Sequence, residues 1–360
     1  MKKVLFIGAK PDLAKNHPGG QSTAAYGLVH YCHENDIRLD IIDSAQESFP
    51  FPSISKRMFR AFKRLILCLS RLFLNRYDGA IIFSGAGFSF LEKIFLAAVC
   101  RIFFTKTIFF VRSGFFMNDC EVSWKRKIFA VLLKIPNFLG SQGNSWNQLY
   151  ESLGVPKSKT KLIPNWLSPL KQPCTSPKVY KDQSETKLTF IFVGWMVKAK
   201  GVCDIFDSIE TSEVLKQHKF IFAGDGEMKK ELEERSKHNR IQNVDFLGWQ
   251  SSKNIEKLMK ASDVFVFPSH SEGFPNVIVE ALAAALPIVA TGVGGIKDSA
   301  IDDYNAFIVG VADTDALKNA LETLVADIGL RNKFSRNSLT VFKQRHDLNV
   351  NCKKIMDVLT

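Results

Sequence analysis

The stretch Phe265-Val-Phe-Pro-Ser-His-Ser-Glu-Gly-Phe-Pro-Asn-Val-Ile-Val-Glu280 decides the fold of this chain of 360 residues. Its apolar run ends at Pro268 and predicts a buried strand, and a turn-rich loop then leads into a helix that begins near Asn276 and ends before Pro287. Asn276 is a favourable N-cap residue. Because the first N–H groups of a helix and its dipole attract negative charge, residues 274–277 predict an anion site.

Two carboxylates, Glu272 and Glu280, flank this junction between strand and helix. Glu272 precedes the helix and Glu280 lies one turn inside it, so both side chains can point to the same edge of the sheet. A carboxylate accepts two hydrogen bonds and therefore suits the vicinal hydroxyls of a ribose or of a sugar ring. In the alternative interpretation, Glu280 only complements the helix dipole and Glu272 is an ordinary loop carboxylate.

Short apolar runs alternate with amphipathic stretches along the whole chain. Such runs are typical of parallel strands that are covered by helices on both faces. The expected strands are 4–8, 37–42, 79–83, 106–111, 138–141, 188–193, 219–223, 244–246, 264–268, 288–291 and 306–309. We therefore expect an α/β fold of two Rossmann-like, doubly wound domains that face each other across a cleft.

The domain boundaries are predicted from a segment that lacks periodicity. Between Pro164 and Lys187 the chain contains four prolines and mixed charge, which is typical of a linker. We expect a first domain at 1–168, a linker at 169–187 and a second domain at 188–340. The remaining residues, 341–360, are expected to form a helix that packs back towards the first domain.

The net charge of +12 is concentrated in the first half of the chain. Residues 1–170 contain 23 Lys and Arg against 11 Asp and Glu, and the remainder contains 25 of each. Within that half, residues 51–76 carry seven cations and no acid, with apolar residues at helical spacing. This segment is either a basic amphipathic helix for an anionic membrane surface, or a core-packing helix with a solvated basic face.

Cysteine and histidine usage gives no sign of a metal site or a disulfide framework. The seven cysteines are scattered without a Cys-x-x-Cys pair, which favours a reducing cytoplasm. The histidines lack zinc-binding spacing. Asp313-Thr314-Asp315 spells a metal–diphosphate motif, but N-capping of the helix that follows explains it better. We therefore expect no metal and no cofactor.

The run PSHSEGFPNVIVEALAAALPIVATGVGGIKD, residues 268–298, resembles the signature of the family 4 retaining glycosyltransferases, which have the GT-B fold. Further stretches resemble the family in the same order along the chain, at residues 18–21, 163–165, 192–201, 222–226, 243–248 and 261–264. The resemblance implies an acceptor-binding first domain and a second domain that binds a nucleotide sugar.

The resemblance also implies roles for individual residues. Glu272 and Lys200 would be catalytic: Glu272 contacts the donor sugar, and Lys200 pairs with the diphosphate as the leaving group departs. Glu280 would bind the ribose. The other donor-binding residues implied are Gly19, Gly20, Gly194, Gly273, Phe274, Pro275, Asn276 and Val277. Outside the resemblance, Lys200 belongs to an ordinary polar turn and the glycines to ordinary loops.

Three positions depart from the family pattern. Trp195 stands where an arginine is usual, so a second diphosphate cation is either missing or supplied by Lys198. Ala285 stands where glycine is usual before the proline of the last motif. Arg112 and Ser113 follow a first-domain strand where the family has a histidine, and either could contact the sugar or the acceptor; alternatively, Arg112 caps the strand or pairs with an acid. His270 is either a donor contact or a hydrogen-bonded structural histidine.

The expected activity is retaining transfer of a hexose-type sugar from a nucleotide sugar to a hydroxyl group. The charge of the first half favours a lipid-linked saccharide as acceptor, as in bacterial O-antigen, capsule or exopolysaccharide synthesis. The expected place is the cytoplasm, peripheral on the inner face of the membrane. The alternatives are a nucleotide-sugar 2-epimerase of the same fold and a nucleic-acid-binding protein, although no nucleic-acid-binding motif is visible.

Overall fold

The computed structural model describes residues 2–11, 20–45, 53–181 and 187–359 and divides the chain into two compact units. The first unit comprises Met1–Pro169 and Leu348–Thr360, and the second comprises Leu170–Asp347. Each unit is built around one sheet of six parallel strands. None of the described helices is both long enough and apolar enough to span a bilayer.

The sheet of the first unit has the order β2-β1-β3-β4-β5-β6. Its strands are β1 (Lys3–Gly8), β2 (Arg38–Asp43), β3 (Gly79–Ser84), β4 (Thr107–Val111), β5 (Phe138–Ser141) and β6 (Thr160–Leu162). Its helices are α1 (Gly20–Glu34), α2 (Ile54–Leu74), α3 (Phe88–Ile102), α4 (Phe115–Asp119), α5 (Ser123–Leu132), α6 (Asn144–Ser152) and, from the end of the chain, α13 (Leu348–Leu359).

Two apolar layers cover the two faces of this first sheet. Successive strand residues point to opposite faces, so Leu5 packs with α2–α6 whereas Phe6 packs with α1 and α13. Helix α13 contacts α1 and β4 and therefore belongs to the first unit. The second unit continues to Asp347, beyond the predicted limit at residue 340, because its last helix ends only at Arg345.

The sheet of the second unit has the order β12-β11-β10-β7-β8-β9. Its strands are β7 (Thr189–Val193), β8 (Lys219–Ala223), β9 (Val244–Gly248), β10 (Val264–Phe267), β11 (Ile288–Thr291) and β12 (Ala306–Val309). Its helices are α7 (Val202–Glu210), α8 (Met228–His238), α9 (Ser252–Ala261), α10 (Asn276–Ala283), α11 (Thr314–Ala326) and α12 (Ile328–Arg345). The order reverses between β7 and β10, and ligands bind at the carboxyl ends of strands at such a reversal.

The predicted linker is wrong in its described part, because this part packs on the second unit. The backbone N–H of Cys174 donates to the carbonyl of Ala283, and Lys178 Nζ donates to the carbonyl of Lys260 at 2.7 Å. The hydroxyl of Tyr180 donates to the carbonyl of Asp263. Residues 170–181 are therefore held by hydrogen bonds to the second unit.

The helix expected within residues 51–76 is confirmed as α2. Its buried and exposed faces differ from both simple expectations. Met58, Phe59, Phe62 and Ile66 are exposed, whereas Arg64 is buried. The interpretation as a core-packing helix with a solvated basic face is confirmed in part, because Cys68 and Leu72 lie in the core and Lys63 is exposed. It does not account for the exposed apolar side chains or for the buried Arg64.

Candidate functional site

Two loops meet at the point where the strand order of the second sheet reverses. One loop follows β7 and ends in a 3-10 turn, Lys198–Lys200, and the other follows β10. The backbone N–H of His270 donates to the carbonyl of Ala199 at 2.9 Å, and the hydroxyl of Ser269 donates to the same carbonyl. Gly201 has φ +70°, and a Cβ atom there would lie 2.1 Å from the carbonyl oxygen of Pro268. Glycine therefore permits the close approach of the two loops.

The structure brings Lys200 and Glu272 into contact. Lys200 Nζ forms an ion pair with Oε1 of Glu272, and the same oxygen accepts a hydrogen bond of 3.0 Å from the hydroxyl of Ser269. Both side chains are partly buried. A cation and a carboxylate, both predicted from the sequence as catalytic, thus form one charged pair at the carboxyl ends of β7 and β10.

The backbone around Glu272 and Gly273 is held by two glycines after β11. Gly294 has φ +53°, and a Cβ atom there would lie 2.0 Å from the carbonyl oxygen of Glu272. The N–H of Gly295 donates to the carbonyl of Gly273 at 2.8 Å. Phe274 packs on the ring of His346, which is itself fixed by Ser299. The loop that carries Glu272 is therefore rigidly placed.

Helix α10 begins at Asn276, but the N-cap is Pro275. The prediction that Asn276 is the N-cap is wrong by one residue. Proline has no side-chain acceptor, so the cap cannot satisfy the N–H groups of the first turn in the way that an asparagine cap does. Val277 lies in this first turn, close in sequence to Phe274 and Pro275. The N-terminus of α10 thus follows directly on the loop that holds Glu272.

Glu280 is paired with Lys171, a residue that the sequence analysis did not single out. Lys171 Nζ lies 2.6 Å from Oε2 of Glu280, and the two side chains are 6% and 17% exposed. No motif reveals Lys171, because it lies in the proline-rich segment that the sequence predicts to be a linker. The ribose-binding carboxylate implied by the resemblance is therefore oriented by a nearly buried cation.

His270 is hydrogen-bonded to Asp204 of helix α7. Its Nε2 atom lies 2.7 Å from Oδ2 of Asp204. Together with the backbone bond to Ala199, this contact fixes the histidine beside the Lys200–Glu272 pair. The geometry matches the interpretation as a hydrogen-bonded structural histidine, and a donor contact stays a prediction.

Two exposed tryptophans lie at the same edge of the second sheet. Trp195 follows β7 and Gly194, Trp249 follows β9, and their ring centroids are 5.1 Å apart. Between them, the loop after β8 passes so close that a Cβ atom on Gly224 would lie 1.8 Å from the carbonyl oxygen of Gly194. Trp195, at the position where the family pattern has an arginine, is therefore part of an exposed aromatic pair.

The first unit holds the remaining predicted residues. Gly19 lies outside the described residues, and Gly20 is the first residue of α1. Arg112 Nη2 donates to Oδ1 of Asn165 at 2.7 Å, and its guanidinium lies over the rings of Phe83, Phe110 and Trp166. Burial lowers the pKa of Arg112. Its partners are thus an amide and aromatic rings. Ser113 is half-buried in the turn before α4.

Metal ligands do not cluster in the part of the chain that the structure describes. The Asp313-Thr314-Asp315 motif caps α11, since Oδ1 of Asp313 accepts from the N–H of Ala316 at 2.9 Å. Asp315 instead pairs with Lys318. The predicted N-capping of α11 by this motif is confirmed.

Residues 178–340 match the sequence model of the family "Glycosyl transferases group 1". This region of the chain is therefore similar to a group 1 glycosyl transferase domain. The matched residues include Lys200, Glu272 and Glu280, so the charged pair and the helix carboxylate both lie inside this region.

Several relatives are similar to this chain mainly over the same region. The chain is 32% identical over 147 residues to the uncharacterized glycosyltransferase MJ1178 of Methanocaldococcus jannaschii, covering 41% of each protein. The chain spans about two fifths or less of the length of several curated relatives that it matches. It is 25% identical over 335 residues to a Campylobacter jejuni protein named GalNAc-alpha-(1->4)-GalNAc-alpha-(1->3)-diNAcBac-PP-undecaprenol alpha-1,4-N-acetyl-D-galactosaminyltransferase. That match covers 91% of this chain and 86% of the relative.

Solved structures resemble the whole chain. The crystal structure of Anabaena Alr3699/HepE in complex with UDP and glucose has a TM-score of 0.72 at 17% identity, and the match covers 100% of this chain and 99% of that one. At this identity the likeness shows the fold alone. The predicted GT-B class, with two doubly wound α/β domains, is confirmed.

Proposed function

We propose that this protein is a retaining glycosyltransferase that moves a hexose-type sugar from a nucleotide diphosphate sugar to a hydroxyl group. The observation that carries the proposal is the contact between Lys200 and Glu272 at the strand reversal of a region similar to a group 1 glycosyl transferase domain. A cation for a departing diphosphate and a carboxylate for a positively charged sugar are the two electrostatic requirements of this reaction.

The N-terminus of α10 and Lys200 would hold the diphosphate of the donor. Helix N-termini bind phosphate through backbone N–H groups and the helix dipole. Lys200 neutralises the charge that grows on the diphosphate as the anomeric C–O bond breaks and the bonding electrons leave with it. Lys200 already contacts Glu272, so the ion pair is neutral overall. The donor diphosphate binds beside this pair and attracts the ammonium group of Lys200.

Glu272 would stabilise the sugar while it carries positive charge. The acceptor oxygen attacks the oxocarbenium-like centre from the face that the diphosphate leaves, so the anomeric configuration is retained. The acceptor proton passes to the departing phosphate oxygen. Ser269 holds Oε1 of Glu272 in place, and Lys171 holds Oε2 of Glu280 for the ribose hydroxyls. The Gly-rich turns at 194 and 273 bring backbone close to the donor.

The acceptor we propose is a lipid-linked saccharide used in bacterial surface-polysaccharide synthesis. The name of the Campylobacter relative specifies such an acceptor for that protein. In this chain, the excess of positive charge lies in the first half, and α2 exposes both cations and large apolar side chains. This combination favours a peripheral position on an anionic membrane, on its cytoplasmic face.

Donor screening tests the proposal. Purified protein would be incubated with UDP- and GDP-sugars, with and without a lipid-linked saccharide, and the products analysed by NMR. We expect acceptor-dependent transfer with an anomeric configuration equal to that of the donor. Epimerised nucleotide sugar formed without acceptor would instead identify a 2-epimerase. No turnover of any donor, together with a salt-dependent gel shift on nucleic acid, would favour the nucleic-acid-binding alternative.

Metal independence is part of the same proposal. The charged groups that would stabilise the leaving diphosphate are Lys200 and the N-terminus of α10, so no divalent cation is required. Excess chelator in the transfer assay should leave the rate unchanged. Complete loss of transfer, restored by added magnesium or manganese, would show that this part of the proposal is wrong.

A further inference from the structure

A group of cations in the first unit, outside the site described above, surrounds a single carboxylate. Arg64 on α2 donates from Nε to Oε1 of Glu92 on α3 at 2.5 Å, and Lys93 Nζ lies 2.9 Å from Oε2 of the same residue. Arg64 is 7% and Lys93 1% exposed. Both oxygens of Glu92 are therefore engaged, one by each cation.

Arg57 adds a third positive charge to this group. It lies two turns before Arg64 on the same side of α2, and its guanidinium lies 5.1 Å from the ring centroid of Phe88 at the start of α3. Burial lowers the pKa of Lys93, and the charges of Arg64 and Arg57 lower it further against the opposing effect of Glu92. Arg64 and Lys93 thus share one carboxylate and Arg57 adds a further positive charge near Lys93. We call these three cations the α2–α3 cation cluster.

Two N–H groups of the cluster are buried without an acceptor. Nη2 of Arg64 and Nε of Arg57 have no hydrogen-bond partner among the residues that the structure describes. A buried, unsatisfied donor on a charged group is costly, and an excess of buried positive charge is costlier still. An anion that accepts from both guanidinium groups would remove both costs at once.

We propose that the α2–α3 cation cluster binds a phosphate group carried by a lipid. Guanidinium groups match the oxygen geometry of phosphate, which supports phosphate as the anion. The outer surfaces of the same two helices favour a lipid as the carrier of this phosphate, because they expose large apolar side chains. These are Met58, Phe59, Phe62 and Ile66 on α2 and Leu91 and Phe95 on α3. A phosphate at a membrane surface would meet the cations while its lipid meets these side chains.

Two sources share this chemistry. One is the headgroup of an anionic phospholipid, which would make the cluster a membrane anchor. The other is the diphosphate of a lipid-linked acceptor, which would make it part of acceptor binding and would deepen the proposed function. Binding does not require sugar transfer, so the two proposals can fail separately. Binding without transfer would contradict only the glycosyltransferase proposal, and transfer without binding only this one.

The decisive variant is Arg57→Gln, because it leaves the Arg64–Glu92–Lys93 contacts intact. Lys63→Gln is the matched control, since Lys63 is an exposed cation of the same helix and the change in net charge is equal. The probes are inorganic pyrophosphate, measured by calorimetry, and vesicles of phosphatidylcholine alone, with phosphatidylglycerol, or with a polyprenyl diphosphate. Arg64→Gln serves as a second variant if its fold, followed by circular dichroism, is retained.

We expect pyrophosphate to bind the wild type, and Arg57→Gln to weaken this binding about tenfold while Lys63→Gln changes it less than about twofold. Stronger binding to phosphatidylglycerol vesicles identifies the headgroup, and stronger binding to polyprenyl diphosphate identifies the acceptor. In chloride buffer Arg57→Gln should not lower the melting temperature, because it removes an unbalanced charge. Equal losses in Arg57→Gln and Lys63→Gln, or no binding of pyrophosphate and of either lipid phosphate, would overturn the proposal.

Discussion

Nζ of Lys171 lies 2.6 Å from Oε2 of Glu280, in a contact that joins the start of the second unit to helix α10. The pair is largely buried, so its members depend on each other more than an exposed pair would. The carboxylate that the family resemblance assigns to the nucleotide is thereby held by a residue outside the recognisable motifs.

Lys171→Met should disturb Glu280 without touching the Lys200–Glu272 pair. We expect the KM for the donor to rise about tenfold with a smaller change in kcat, because ground-state binding is lost. Loss of one partner should also destabilise the protein by about 2 kcal/mol. Lys260→Met, which breaks a more exposed pair with Glu256, is the control and should leave KM unchanged. An unaltered KM in Lys171→Met would contradict the positioning role of Lys171.

Ala285 adopts φ +54° directly after helix α10, in the left-handed region that favours glycine. Ala285→Gly should therefore stabilise the protein by about 1 kcal/mol, reduced by the loss of one buried methyl group. Ala283→Gly makes the same chemical change inside the helix and should destabilise it by about 1 kcal/mol. Urea unfolding measures both effects. Destabilisation of similar size in both variants would show that the backbone at Ala285 is not strained.

Gly201 and Gly154 allow a second comparison of two matched variants. They have φ +70° and +72°, but a Cβ atom on Gly201 would collide with Pro268, whereas Gly154 has open space around it. Gly154→Ala should cost only the strain of positive φ, about 1–2 kcal/mol. Gly201→Ala should cost more and should also reduce donor turnover, because it separates the two site loops. Equal free energies of unfolding would refute the importance of this close approach.

Glu92 should make stability depend on pH. Burial alone would raise the pKa of Glu92, but the hydrogen bonds and charges of Arg64 and Lys93 lower it below its ordinary value of 4.5. Its contribution is therefore complete at neutral pH and is lost as the pH falls below about 4.5 and through the lowered pKa.

Glu92→Gln should accordingly lower the free energy of unfolding by about 3–5 kcal/mol at neutral pH. The difference from the wild type should shrink in acid, where Glu92 itself becomes neutral. Glu151→Gln, in a largely exposed pair with Lys157, should change stability by less than about 1 kcal/mol at any pH. A difference between Glu92→Gln and wild type that stays constant down to acid pH would contradict this account.

The fold could be predicted from the sequence because parallel strands buried on both faces leave continuous apolar runs. Eleven of the twelve strands among the described residues correspond to such runs, and the missed one, β6, is a three-residue edge strand with the sequence Thr-Lys-Leu. An edge strand that short carries no apolar run. The second unit begins earlier than predicted, at Leu170. Residues 170–181 are rich in proline and lack periodicity, but they are hydrogen-bonded to this unit.

The site could be predicted only where its residues are neighbours in sequence. The turn residues and carboxylates of residues 268–280 predict the loop and the helix. The role of Lys200 is implied by the family resemblance. Lys171 and the Trp195–Trp249 pair depend on tertiary contacts that leave no local signal. Arg64 shows the same limit. Its position in the sequence groups it with the exposed cations of α2, and only its ion pair with Glu92 on another helix explains why it is buried.

The central claim is that the Lys200–Glu272 pair is the reacting centre of a glycosyl transfer. The most direct test is the turnover of Glu272→Gln with a verified donor and acceptor, with Glu234→Gln as a control on an exposed helix face. The account predicts a kcat lower by about a hundredfold or more, with no rise in the KM for the donor, since Lys200 loses its competing partner. A kcat close to that of the wild type would contradict it.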